Sequence, residues 1–185
     1  MSLVEIHASD FGGFISLAYA TPHNFTGKPV YRSDAKCYLH PEAAEKFFTA
    51  VKLAKTHGLT FRVFDAFRPS EAQWKLWEHT PDPHFLADPR RGSPHARGVA
   101  IDLTLCTLSG DDLDMGTAFD AFTPFSHHGN TEISVEAQQH RLLLMGIMTT
   151  AGWDFYRNEW WHYQLFKPRQ YTLFTDKEAG TQMMP

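Results

Sequence analysis

Ser93-Pro94-His95-Ala96-Arg97-Gly98-Val99-Ala100-Ile101-Asp102-Leu103-Thr104-Leu105 is the stretch on which the reading of this chain turns. Gly92, Pro94 and Gly98 mark its first half as a loop, and from Val99 onward the residues alternate as in a strand. Val99, Ile101, Leu103 and Leu105 share an apolar face that belongs in a core. Ala100, Asp102 and Thr104 share the other, where a carboxylate stands between two small residues with room beside it for an ion or a substrate. His95 lies just upstream, so one ordered element offers two metal-type ligands. Read alone, the stretch is equally a satisfied buried Asp beside a loop His.

A chain of 185 residues suits one domain. At that size roughly 70% of the unfolded chain's surface can be buried, so no disulfide or partner is needed to make a core. Acidic residues outnumber basic ones, 21 to 17, and no Lys/Arg run appears, so a nucleic-acid surface is not expected. Cys37 and Cys106 are too few for a disulfide framework and read as reduced thiols. The segment from Phe11 to Ala20 ends in Ala18-Tyr19-Ala20 like a processing site, but Glu5 and Asp10 stand where a signal peptide needs positive charge. No run approaches the ~18 apolar residues of a membrane span. The expectation is a soluble, cytoplasmic protein with a small-molecule partner and no nucleic-acid or membrane partner; no pattern specifies an oligomeric state.

In chain order, residues 1–20 read as extended with a break at Gly12-Gly13, and 21–29 as a loop. A helix opens at Pro41, carries the stripe Ala44, Phe47, Phe48, Val51 and Ala54, and stops at Gly58. A β-rich run from Leu59 to Phe67 leads into Asp65-Ala66-Phe67-Arg68-Pro69, where Pro69 holds Arg68 extended. Ser70 and Gln73 form a capping box for a helix bearing Trp74 and Trp77. Asp111, Asp112 and Asp114 read as a solvated acidic turn, and the adjacent His127 and His128 as divergent loop side chains. Ser134 caps a helix over 135–150 with Leu142, Leu143, Met145 and Met148 directed inward. Glu159 to Phe166 is an aromatic strand entered from a turn at Arg157-Asn158, and residues 167–185 form a peripheral tail. These elements predict a single α+β domain over residues 1–185.

Three separated residues, His95, Asp102 and His162, offer two imidazoles and a carboxylate, the donor set that zinc accepts in tetrahedral sites. Three protein ligands leave the fourth position to water, which is the mark of a catalytic rather than a structural site. Glu159, three residues before His162, is then a natural general base. Residues three apart on a regular strand face opposite ways, so Glu159 is expected in a turn ahead of the strand. Gly98 marks a comparable bend between His95 and Asp102.

Ser93-x-His95-x-x-Gly98-x-Ala100-x-Asp102 combined with Glu159-Trp160-Trp161-His162 resembles the D-alanyl-D-alanine dipeptidases associated with vancomycin resistance. Tyr19-Ala20-Thr21 with Asn24-Phe25-Thr26-Gly27-Lys28, the Asp65 to Pro69 segment, and Met115-Gly116 through Phe119-Asp120 extend the likeness over most of residues 15–166. The resemblance implies a hedgehog/DD-peptidase fold, with a central, mainly antiparallel sheet flanked by helices. It implies one zinc ion on His95, Asp102 and His162, and Glu159 as base and later proton donor to the leaving amine. It also implies Arg68 as the group that binds the scissile carbonyl, and Asp120, Tyr19 and Ser93 as holders of the dipeptide's ends, Asp120 at the ammonium. The implied activity is hydrolysis of D-Ala-D-Ala to two D-alanines. Pro94 stands where some relatives have Ser, and the segment between Arg68 and His95 is short against the longest relatives. The alternatives are a D,D-carboxypeptidase or endopeptidase of the same fold, and a non-catalytic zinc-binding domain.

Overall fold

The computed structural model describes residues 2–185. Its strands and helices, in chain order, are β1 (Val4–Ile6), α1 (Ala8–Phe11), β2 (Phe14–Ile15), β3 (Cys37–Leu39), α2 (Pro41–Thr56), β4 (Leu59–Asp65), α3 (Ser70–His79), β5 (Ala100–Thr107), α4 (Val135–Thr150), β6 (Asp154–Phe155), β7 (His162–Gln164) and α5 (Asp176–Ala179). Five strands form the central sheet in the order β2-β4-β5-β7-β6, while β1 and β3 pair separately. Only the β2–β4 pair in the central sheet is parallel, so the sheet is mainly antiparallel, as expected.

The alternation read in β5 sets the layers. Phe61 and Val63 of β4 stand opposite Leu105 and Leu103, and Phe61 meets Phe47 of α2 at 5.9 Å between ring centres. The apolar face of β5 thus looks toward α2, which also packs on α4. The face carrying Ala100, Asp102 and Thr104 is no less buried, because the segment around Met115 to Phe122 folds across the sheet and stacks Phe119 on Phe64. β5 is therefore covered on both sides. That makes a carboxylate on it costly unless it is paired.

One irregularity aligns the site. The β4–β5 register shifts between Val63 and Asp65, so one extra residue in β4 brings Asp65 rather than Phe64 opposite Asp102. Asp102 in turn pairs with His162 of β7, and Asp65, Asp102 and His162 form a row across three strands. A bulge of this kind re-aims one side chain without disturbing the rest of the ladder.

Several expectations need correction. Residues 1–20 are not simply extended: α1 interrupts them, its end closed by Gly12 at φ +64°. On α4 the inward row is Ala137, Arg141, Leu144 and Met148, while Leu142 is 62% exposed. Arg141 breaks the apolar stripe by sitting buried among carbonyls, its Nε donating to Met115 O at 2.7 Å. Met148 is buried as expected and Leu143 packs on the core, but Leu142 faces out and the buried row runs through a charged residue that hydropathy assigns to the surface. Ser70 and Gln73 do not make a capping box, because the N-cap is Pro69 and both side chains bond elsewhere. The C-terminal residues pack onto the body: Phe174 N donates to Ala96 O at 2.8 Å, and Met183 is buried.

Candidate active site

His95, Asp102 and His162 converge although they lie far apart in sequence. His95 sits in a 3₁₀ turn closed by Gly98 at φ +66°, a backbone value that disfavours any residue with a Cβ. A Cβ at Gly98 would in addition lie 2.8 Å from Leu3 and 3.0 Å from the backbone nitrogen of His40. His95 Nε2 lies 3.3 Å from Asp102 Oδ2, His162 Nδ1 lies 3.0 Å from Asp102 Oδ1, and the two imidazole nitrogens are 3.1 Å apart. Among the described residues this is the group whose ligand atoms all lie within 4.8 Å of one another.

The outer nitrogens determine what the inner ones present. His95 Nδ1 faces Ala66 O at 2.7 Å, and a carbonyl only accepts, so Nδ1 carries the hydrogen. His162 Nε2 faces the amide oxygen of Gln164 at 3.1 Å and donates in the same way. In the neutral rings both inner nitrogens then offer lone pairs, and the carboxylate adds a third acceptor with no hydrogen between them. Such a cluster needs a cation at its centre. Outer partners that set the tautomer are the usual surroundings of histidine metal ligands. The residues present therefore fit a metal ion, and their nitrogen and oxygen donors suit a transition metal. Burial opposes ionisation of Asp102; where the imidazoles themselves carry the positive charge that the cluster calls for, a protonated His95 and hydrogen bonds from both rings outweigh it, holding the carboxyl well below its usual range.

Glu159 lies in the turn that joins β6 to β7, with Glu159 N donating to Tyr156 O and His162 N to Glu159 O. This is the turn that its spacing from His162 required, and it sets the carboxyl 3.9 Å from His162 Nδ1. Burial pushes the Glu159 carboxyl well above its usual range, with Asp102 and Asp120 adding to the effect and Arg68 opposing it. A carboxyl so placed can take up a proton and give it back.

Arg68 is buried and held from several sides. Its Nε donates to Asp65 Oδ2 at 2.8 Å, one terminal nitrogen to Gln73 Oε1 at 2.9 Å, and the other to Asp102 Oδ2 at 3.4 Å. Its guanidinium lies 5.0 Å from the centre of the Tyr19 ring. Tyr19 donates from its hydroxyl to Asp120 Oδ2 at 2.9 Å. Asp120 is half-buried at φ +58°, a left-handed conformation that Asp tolerates better than most residues. Burial pushes its carboxyl up to about 8, and Asp102 adds to the shift. Ser93 is buried, its Oγ accepting from His95 N at 3.2 Å.

All eight residues singled out from the sequence line one cleft of about 310 Å³. That is near the lower end of the ~300–1,000 Å³ typical of small-molecule sites. Pro83, Phe85, Leu86 and Tyr156 add an apolar wall. His127 and His128 stay outside the cluster, as expected, with His128 packed on Phe155 and Tyr163. Residues not anticipated are Gln164, which orients His162, and Gln73 and Tyr31. The Tyr31 hydroxyl donates to Asp65 Oδ1 at 2.9 Å. Gln164 could have been found by period: two residues beyond His162 on one strand, it must share that residue's face. The Tyr31 contact spans 34 positions and leaves no local signal.

The profile of the D-Ala-D-Ala dipeptidase family matches residues 10–177. The chain belongs to this family. A D-alanyl-D-alanine dipeptidase of Escherichia coli (strain K12) is 41% identical over 163 residues, covering 88% of this chain and 84% of the relative. Proteins of the same name from Enterococcus faecium and Streptomyces coelicolor are 35% and 32% identical, each over 167 residues, 80% of this chain and 83% of the relative. In this dipeptidase family member the cleft carries a His–Asp–His group able to hold a metal ion. Among the described residues no helix is long and apolar enough to cross a membrane.

Proposed function

We propose that this chain hydrolyses D-Ala-D-Ala to two D-alanines, with one zinc ion held by His95, Asp102 and His162. Membership in the family supports the activity, and two imidazoles with a carboxylate match zinc's preferred donors. When bound there, zinc supplies a Lewis acid that makes a water acidic enough to attack near neutral pH. Glu159 takes the proton from the attacking water and returns it to the departing amine. Arg68 donates to the scissile carbonyl oxygen and stabilises the negative charge that gathers on it. Asp120, steadied by the Tyr19 hydroxyl, holds the substrate ammonium, and Ser93 lies toward the other end of the dipeptide. The five-stranded sheet with its helices reads as the hedgehog/DD-peptidase fold, and residues 1–185 as one catalytic domain.

Asp120 is the single observation that carries the dipeptide reading over a carboxypeptidase or endopeptidase. Asp65, Asp102, Asp120 and Glu159 set four carboxyls around one guanidinium. A divalent ion offsets two of those charges and a free ammonium beside Asp120 offsets that carboxylate locally, whereas an acylated amino group brings no charge to Asp120. The direct test measures bound metal and follows hydrolysis of the four stereoisomers of Ala-Ala beside an N-acylated D-Ala-D-Ala tripeptide. Stoichiometric zinc and turnover of the free D,D-dipeptide alone are expected. Comparable cleavage of the acylated peptide would overturn the assignment.

A further inference from the structure

A guanidinium has five N–H donors in one rigid plane. In Arg68 three of them meet Asp65, Gln73 and Asp102, which leaves one hydrogen on each terminal nitrogen for the cleft that the residue lines. We infer that Gln73 is a positioning residue for the reaction: its buried carboxamide fixes the swing of the Arg68 guanidinium and ties it to the cleft wall at Ala87. The inference rests on the reading of Arg68 as donor to the scissile carbonyl.

Gln73 is 1% exposed, and both ends of its amide are used. Its Oε1 accepts from Arg68 at 2.9 Å, and its Nε2 donates to Ala87 O at 2.7 Å. The amide cannot be turned over, since a guanidinium only donates and a carbonyl only accepts. Asp65 bonds to Nε, close to the axis about which the guanidinium turns, so it restrains position more than rotation. The Asp102 contact is long, at 3.4 Å. Gln73 is the short bond at the end of the lever. It is also neutral: Asp65 and Asp102 already face the guanidinium, and a third carboxylate would cancel more of the charge that the carbonyl oxygen is to feel.

The other end of the amide joins Arg68 to the opposite side of the reaction. Ala87 belongs to the wall segment that includes Pro83, Phe85 and Leu86. That segment is held at His84 O by the Tyr156 hydroxyl at 2.9 Å and by Asn158 Nδ2 at 3.1 Å, both in the turn that carries Glu159. The wall thus spans from the Arg68 anchor to the Glu159 turn. Displacing a reacting group by about 1 Å can cost a factor of ~10² in rate.

Gln73→Met removes both hydrogen bonds while nearly keeping the volume. It is expected to lower kcat on D-Ala-D-Ala by about 10–100-fold, as loss of an orienting partner typically does, with KM within about threefold. Gln73→Glu restores an acceptor for Arg68 and is expected to regain part of that loss. Rates are normalised to bound metal, so a variant that folds only in part still reports. In an Arg68→Ala background Gln73→Met is expected to add less than about twofold, because a residue acting through another has nothing left to position. A Gln73→Met enzyme with kcat within about twofold of the parent, or one whose loss is undiminished without Arg68, would overturn the inference. Full activity of Arg68→Ala alone would instead remove the reading of Arg68, a separate result.

Discussion

Strands supply two of the three metal-type donors, Asp102 and His162, with His95 added from a 3₁₀ turn, whereas loops alone build the half of the cleft that carries Tyr19 and Asp120. Asp102 and His162 are cross-strand neighbours in register, and each imidazole is pinned by a short contact on its outer side. Tyr19 and Asp120 come instead from a 3₁₀ turn and a left-handed turn residue, joined by one hydrogen bond. A paired strand fixes its side chains through the whole ladder, whereas a loop fixes them only through the bonds it makes locally. The first half suits an ion that needs fixed donor positions. The second suits an ammonium, which accepts hydrogen-bond partners over a wide range of directions.

Removing Glu159 is the strongest way to test where the two halves divide. Glu159→Ala is expected to lower hydrolysis by about 10²–10⁴-fold while bound metal stays near stoichiometric. A variant without metal would show that Glu159 belongs to the ligand set instead. Chelation attacks the metal-type half alone. It is expected to abolish turnover and lower Tm, since an ion that binds only the folded chain stabilises it, and added zinc should restore both. Asp120→Asn attacks the loop-built half. Losing a charged hydrogen-bond partner should raise KM for the dipeptide by about 10–100-fold with metal content unchanged.

The same division explains what the sequence revealed. Val99 to Leu105 alternates because β5 presents two faces, so the core face and the ligand face could both be read from period alone. Glu159 was placed in a turn because a strand cannot put residues three apart on one side, and the turn is there. Tyr19, Asp120 and Ser93 have no periodic signature, and only the family resemblance singled them out. The misreadings share a cause. Gln73 stands three residues after Ser70 as a capping glutamine would, but a buried guanidinium competes for its amide and wins. Arg141 hides the inward face of α4 because a buried arginine bonded to two carbonyls looks, in sequence, like a surface residue. The shift in register before Asp65 is set by the row it joins on two other strands, which no window of sequence contains.

The smallest expected effect is the sharpest test of the charge surplus. Burial raises the Asp120 carboxyl to about 8, far above the ordinary value near 4. Between those two values the folded chain holds a proton that the unfolded chain has released, so stability falls as pH rises. The contribution is whole below pH ~4 and is lost as pH climbs toward 8. Asp120→Asn removes this slope. Thermal melts of the metal-free variant should therefore exceed those of the metal-free parent at pH 8 and approach them near pH 5. Because Asp120 is only half-buried, solvent screening reduces the difference to roughly 1 kcal/mol, or ~2–4 °C in Tm for a chain of this size. Restoring the metal should shrink the gap, because positive charge beside Asp102 relieves the carboxylates around it. A gap that did not depend on metal would mean that the loop-built half does not sense charge in the metal-type half.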